Sequence, residues 1–147
     1  MDTLPDVTAT GADGAPLRLH DLPRPLVVYF YPKDDTPGCT EQAAQFRDAM
    51  KEFDAAGAAV CGISVDDSES HAAFARKYNL PFALLADRSG ECAARYGSLL
   101  DLKIVRFARR NTFIIDPAGV VAKAYVGVNP SRNAADVIGD LNRLVKS

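Results

Sequence analysis

The sequence predicts an α/β fold: a central mixed β-sheet flanked by helices, with an N-terminal β-hairpin, in one domain spanning residues 1–147. Three observations carry that prediction. Apolar, β-branched runs at Leu26–Tyr31, Ala58–Val65 and Phe82–Ala86 alternate with amphipathic stretches of helical period, the pattern of strands joined by crossover helices. Two later runs, Thr112–Ile115 and Val120–Val126, flank the turn signal Asp116-Pro117-Ala118-Gly119 and should pair antiparallel. With 48% hydrophobic and 24% charged residues in 147, the chain can bury a core without disulfide support.

Taken in order, Val7–Leu19 carries Gly11, Asp13-Gly14 and Pro16 between short alternating stretches, a hairpin turning near Ala12-Asp13-Gly14. The Leu26–Tyr31 strand leads into Pro32-Lys33-Asp34-Asp35-Thr36-Pro37-Gly38-Cys39 and then a helix. That helix has an apolar stripe of Ala43, Phe46, Met50 and Phe53, and Gly57 as its stop. Ser68–Tyr78 reads as a helix with His71, Phe74, Ala75 and Tyr78 on one side, and Glu91–Tyr96 as a short one. From near Ser131, Ala134, Val137, Ile138, Leu141, Leu144 and Val145 recur at helical spacing. The strand–helix–strand portion should be parallel, with reactive groups at the C-terminal ends of its strands.

Composition excludes several classes of function. A net charge of −2 gives no reason to expect nucleic acid or an anionic membrane as partner. The first residues lack a basic segment followed by an apolar one, and no apolar run is long enough to span a bilayer, so the expected location is cytoplasmic. Three cysteines, at 39, 61 and 92, argue against a secreted disulfide framework. Neither they nor His20 and His71 have metal-ligand spacing, so neither metal nor cofactor is expected.

Cys39 is the strongest candidate for chemistry. With Thr36 as N-cap and Pro37 at the first helical position, Cys39 falls third, among backbone N–H groups without intrahelical partners. That place favours negative charge and hence the thiolate. A free cysteine is commonly a buried packing residue, but the polar, turn-forming residues before Cys39 argue for a reachable, reactive thiol. Cys61, in the middle of an apolar strand, reads as core.

Pro32-x-x-x-Thr36-x-x-Cys39 is similar to the PxxxTxxC motif of the peroxiredoxins. The wider Tyr29–Thr40 segment resembles their Q-type branch, also called bacterioferritin comigratory protein. Gly62-Ile63-Ser64-Val65-Asp66, Leu84-Leu85-Ala86-Asp87 and Arg110-Asn111-Thr112-Phe113-Ile114-Ile115-Asp116 extend the resemblance over nearly the whole chain. It implies a thioredoxin-like fold and reduction of hydrogen peroxide and organic hydroperoxides. Cys39 would be the peroxidatic cysteine and pass through a sulfenic acid; Thr36 would hold the thiolate and the attacked oxygen while capping the helix. Arg110 would favour the thiolate and orient the peroxide, and Pro32 would shield the site from water. From the residues alone, Arg110 is also readable as a surface charge in the run Arg106, Arg109, Arg110.

One departure stands out. Many Q-type members carry a resolving cysteine five residues after the first, where this chain has Ala44, and others carry it on the next helix, which here has none. The resemblance therefore implies a one-cysteine peroxidase, regenerated by an external thiol such as thioredoxin, glutaredoxin or glutathione, and a monomer. The alternatives are an atypical two-cysteine peroxidase with Cys92 resolving, or a thioredoxin-like binding or holdase module.

Overall fold

The structure, a computed structural model, describes residues 8–11, 14–101 and 106–146. In chain order the elements begin with β1 (Thr8–Thr10), β2 (Pro16–Arg18), β3 (Leu26–Phe30), α1 (Pro37–Asp48), α2 (Met50–Ala55), β4 (Ala59–Ser64) and α3 (Ser68–Tyr78). They continue with β5 (Ala83–Ala86), α4 (Glu91–Arg95), β6 (Leu99–Asp101), β7 (Arg106–Ala108), β8 (Thr112–Ile115), β9 (Val121–Tyr125) and α5 (Asn133–Lys146). Seven strands form one sheet in the order β2-β1-β5-β4-β3-β8-β9. The crossover strands β3, β4 and β5 are parallel neighbours, while β8 lies antiparallel against β3 and β9 against β8. This is the mixed sheet that the strand–helix alternation and the late hairpin predict. The N-terminal hairpin is present as β1 paired antiparallel with β2; Ala12 and Asp13 of its expected turn lie outside the described residues.

Because β3 is buried on both faces, its alternation sorts the core into two layers. Val27, Tyr29 and Tyr31 point into one layer with Cys39, Phe46, Phe53, Phe74 and Val137, beneath α1, α2, α3 and α5. Leu26, Val28 and Phe30 point into the other with Ile63, Phe113, Cys61 and Cys92. The sheet itself therefore stands between Cys39 and the other two cysteines.

Two departures from the expected elements have local causes. The helix after Cys39 is interrupted at Ala49, whose N–H is shared between the carbonyls of Gln45 and Phe46 (3.1 and 3.2 Å), a tightened turn. The break is a single residue long, so Ala43, Phe46, Met50 and Phe53 still face one core. The small β6–β7 pair was not expected from the sequence, because three-residue strands are too short to show a period. Gly57 stops α2 as expected: its φ of +72° turns the chain so that the Ala58 N–H reaches the Phe53 carbonyl (2.9 Å). Asp116 and Gly119 close the β8–β9 turn, the Asp116 carboxylate accepting from the N–H groups of Ala118 and Val120.

Candidate active site at the start of α1

Cys39 sits in the first turn of α1, which follows the C-terminal end of the parallel strand β3. Pro37 occupies the first helical turn and Thr36 the N-cap position, with extended backbone (φ −92°, ψ 155°). The first helical hydrogen bond runs from Thr40 N–H to the Thr36 carbonyl at 2.8 Å. The Thr36 hydroxyl does not cap the helix, as the sequence suggested it would; it donates back to the Lys33 carbonyl at 3.0 Å and so braces the turn.

Arg110 comes to Cys39 from the segment that enters β8. Its Nη2 donates to the Cys39 Sγ at 3.4 Å, and its Nη1 to the Gln42 Oε1 at 2.8 Å. Of the basic run, Arg109 is exposed and Arg110 turns inward, half-buried. Asn111 fixes that turn. Its carbonyl accepts from Phe30 N–H at 2.8 Å, its Oδ1 from Gly127 N–H at 2.9 Å, and its amide donates to Ser98 Oγ at 3.0 Å. A fixed positive charge and the positive end of a helix thus meet at one sulfur.

Gln42 escaped the sequence reading, although it lies three residues after Cys39 and therefore on the same helix face. It is fully buried, and besides accepting from Arg110 it donates to the Asn133 Oδ1 at 3.0 Å. Thr112 donates to the same oxygen at 2.9 Å, so the guanidinium is anchored through Gln42 to the start of α5. Gly38 lets Arg110 come close: a Cβ there would stand 3.3 Å from Arg110 Nη2, which would have to give by a few tenths of an ångström.

The Cys39 residue is only 1% exposed, so the expected reachable thiol is roofed over at rest. Pro32 is half-buried at the entrance to the turn, and Lys33 and Asp35 are exposed as surface residues should be, but Asp34 is buried. The structure brings Cys39, Thr36, Pro32 and Arg110 to one end of the sheet. Cys92 is elsewhere, on α4, its Sγ 3.6 Å from the Thr8 carbonyl. Burial, and then the neighbouring Asp87 carboxylate, push the Cys92 thiol up to about 12; burial and the Cys92 charge do the same to Cys61.

Comparison with known proteins agrees with this geometry. The profile of the AhpC/TSA family matches residues 1–124. A protein of Coxiella burnetii named as a peroxiredoxin, bcp, is 40% identical over 93% of this chain and 94% of its own length. Chloroplastic peroxiredoxin Q of Sedum lineare is 47% identical over 84% of this chain and 66% of its own. Among solved structures, peroxidoxin BcpB of Mycobacterium tuberculosis superposes with a TM-score of 0.92 at 33% identity, covering 97% of this chain and 96% of that one. The bacterioferritin comigratory protein of Xanthomonas campestris, solved in the context of alkyl peroxide reduction, gives 0.87 at 29% identity, over 98% and 99%. With its thioredoxin-like sheet and an arginine-bound cysteine opening α1, the chain belongs to the AhpC/TSA family and, within it, to the bcp and Q peroxiredoxins, which are thiol peroxidases.

Proposed function

We propose that this peroxiredoxin reduces hydrogen peroxide and organic hydroperoxides through Cys39 alone, with an external thiol restoring it. The observation that carries the reading is the Arg110 Nη2 to Cys39 Sγ contact at 3.4 Å, made at the N-terminal turn of α1. The Cys39 thiolate attacks one oxygen of the peroxide; the O–O bond breaks, sulfur gains that oxygen as a sulfenic acid, and the other oxygen leaves as alkoxide or hydroxide, which takes up a proton. The Arg110 guanidinium holds negative charge as it passes from sulfur to oxygen, and the fixed fork spares the reorganisation that water would need. Thr36, in the turn beside Cys39, presents its hydroxyl oxygen to the incoming peroxide, and Pro32 excludes water.

A first external thiol then displaces water from the sulfenic acid to give a mixed disulfide. A second releases Cys39 and leaves as the oxidised disulfide, so two electrons pass from thiol to peroxide. Support for a one-cysteine cycle comes from Ala44 five residues after Cys39, from the lack of cysteine on α3, and from the placement of Cys92 across the sheet. Thioredoxin, glutaredoxin and glutathione all supply the required chemistry. The test is peroxide consumption with each reductant. Cys39→Ser should abolish turnover, Cys92→Ser should leave it intact, and mass spectrometry of the peroxide-treated protein should find sulfenic acid or a mixed disulfide on Cys39. Persistent turnover in Cys39→Ser would remove the peroxidase reading; a Cys39–Cys92 disulfide would remove the one-cysteine cycle.

A further inference from the structure

Helix α3 is fastened at both ends to the turn that carries Thr36, and none of the fastening groups takes part in the chemistry above. The inner fastening is buried. His71, with no exposure, places Nδ1 2.7 Å from Asp34 Oδ2 and Nε2 3.0 Å from the Leu85 carbonyl. A carbonyl only accepts, so Nε2 carries a proton, and the short contact on the other nitrogen holds a second proton between Nδ1 and Asp34. Asp34 also accepts from the Tyr31 hydroxyl (2.5 Å, to Oδ1) and from Ser70 Oγ (2.7 Å, to Oδ2). Its N–H donates to Asp66 Oδ2 at 2.8 Å, and Ser64 Oγ donates to the same oxygen at 2.6 Å.

The outer fastening is on the surface. Asp35 holds a left-handed backbone (φ +57°) that few side chains favour, and its two carboxylate oxygens accept from Lys77 Nζ and the Tyr78 hydroxyl, each at 2.8 Å. Adjacent residues of one turn thus grip opposite ends of one helix, one inward and one outward. Pro32 and Thr36 stand two residues before Asp34 and one after Asp35.

We propose that Asp34 and His71 are positioning residues: their buried pair clasps α3 to the Pro32–Thr36 turn and sets the closed geometry in which Cys39 meets peroxide. The proposal rests on the peroxidase reading and goes beyond it. The closed turn has a cost for the second half of the cycle, because Cys39 at 1% exposure has no room for a thiol reductant. Loosening the clasp in a protein that stays folded should therefore slow the peroxide step and speed the thiol step, opposite changes that loss of a catalytic contact alone does not produce.

The chain has no tryptophan, so both half-reactions are followed by rapid quench and mass spectrometry. Asp34→Ala and His71→Leu should lower the bimolecular rate with hydrogen peroxide by about tenfold or more. They should raise the rate at which dithiothreitol consumes the Cys39 sulfenic acid by about threefold or more. Asp34→Asn is the conservative control: its amide donates to a neutral His71 Nδ1, with the proton now on the other partner, and its oxygen still accepts from Tyr31. It should restore both rates to within about twofold of wild type. If the buried variants do not fold, Lys77→Met with Tyr78→Phe removes the outer fastening from the surface and should move both rates in the same directions. Unchanged rates, both rates falling together, or Asp34→Asn behaving as Asp34→Ala would overturn the proposal. If the Cys39→Ser protein still consumed peroxide, the peroxidase reading itself would fail; clasp variants with wild-type rates beside an inactive Cys39→Ser would defeat the clasp alone.

Discussion

Arg110 reaches two atoms at once, the Cys39 sulfur and the Gln42 amide oxygen, and that double engagement makes its geometry matter as much as its charge. Removing a preorganised donor from a developing anion costs about 100-fold in rate, so Arg110→Ala should lower kcat/KM for hydrogen peroxide by about that factor. Arg110→Lys keeps the charge but loses the planar fork, and should recover only a small part of the loss in the same steady-state assay. A methyl group at residue 38 makes a finer probe. Gly38→Ala puts a Cβ within 3.3 Å of Arg110 Nη2, which should displace the guanidinium and lower kcat/KM with little change in thermal midpoint. The family resemblance pointed Arg110 toward Cys39, whereas the residues alone left it readable as a surface charge. Nothing in Arg106, Arg109 and Arg110 tells which turns inward; Asn111, bonded on three sides, decides it.

At the level of elements, α1 and its Cys39 rest on β3 through aromatic packing. Tyr29 stacks on Phe46 with centroids 4.6 Å apart, and Gly62 on β4 makes room for the Tyr29 ring. A Cβ at residue 62 would stand 2.8 Å from Tyr29 Cζ, so Gly62→Ala should cost about 1–3 kcal/mol in denaturant unfolding. The closing helix is held differently. Asp140 on α5 accepts from Lys123 Nζ at 2.8 Å, and from Tyr125 and Arg143, and these bonds, Lys123 first, hold its carboxyl down to about 2. Its folded value lies below the unfolded one, so its contribution is present above about pH 4 and lost as pH falls toward 2. Asp140→Asn should therefore lower the thermal midpoint near neutral pH, with the difference from wild type closing in acid. Most of these elements were legible, α1 and α3 from the apolar stripe each buries and β3 from an unbroken apolar run. The Ala49 break, a single residue, and the β6–β7 pair, three residues a strand, left no such trace, being too short to show a period.

Across the whole molecule, the sheet separates Cys39 from the other two thiols. Cys39 was singled out in the sequence by Thr36, Pro37 and Gly38, but the Gln42–Asn133 and Asp34–His71 pairs were not, because their partners lie 91 and 37 residues apart in sequence and only folding brings them together. The same limit applied to Cys92, whose place on a short helix left its distance from Cys39 open. In the folded chain Cys39 belongs to the core layer under α1, α3 and α5, and Cys92 to the layer on the other face of β3. A disulfide needs Cα atoms within about 7 Å, so joining them would require the start of α1, or α4, or both to leave the core layer in which each packs. Reactivity points the same way: thiols raised to about 12, like Cys61 and Cys92, hold almost no thiolate near neutral pH. A native-state pulse of iodoacetamide should thus label Cys39 first, and Cys61 and Cys92 only after unfolding, as peptide mass spectrometry will report. Early labelling of Cys92 would mean that its layer opens as readily as the Cys39 turn, and the sheet would no longer separate the two sulfurs.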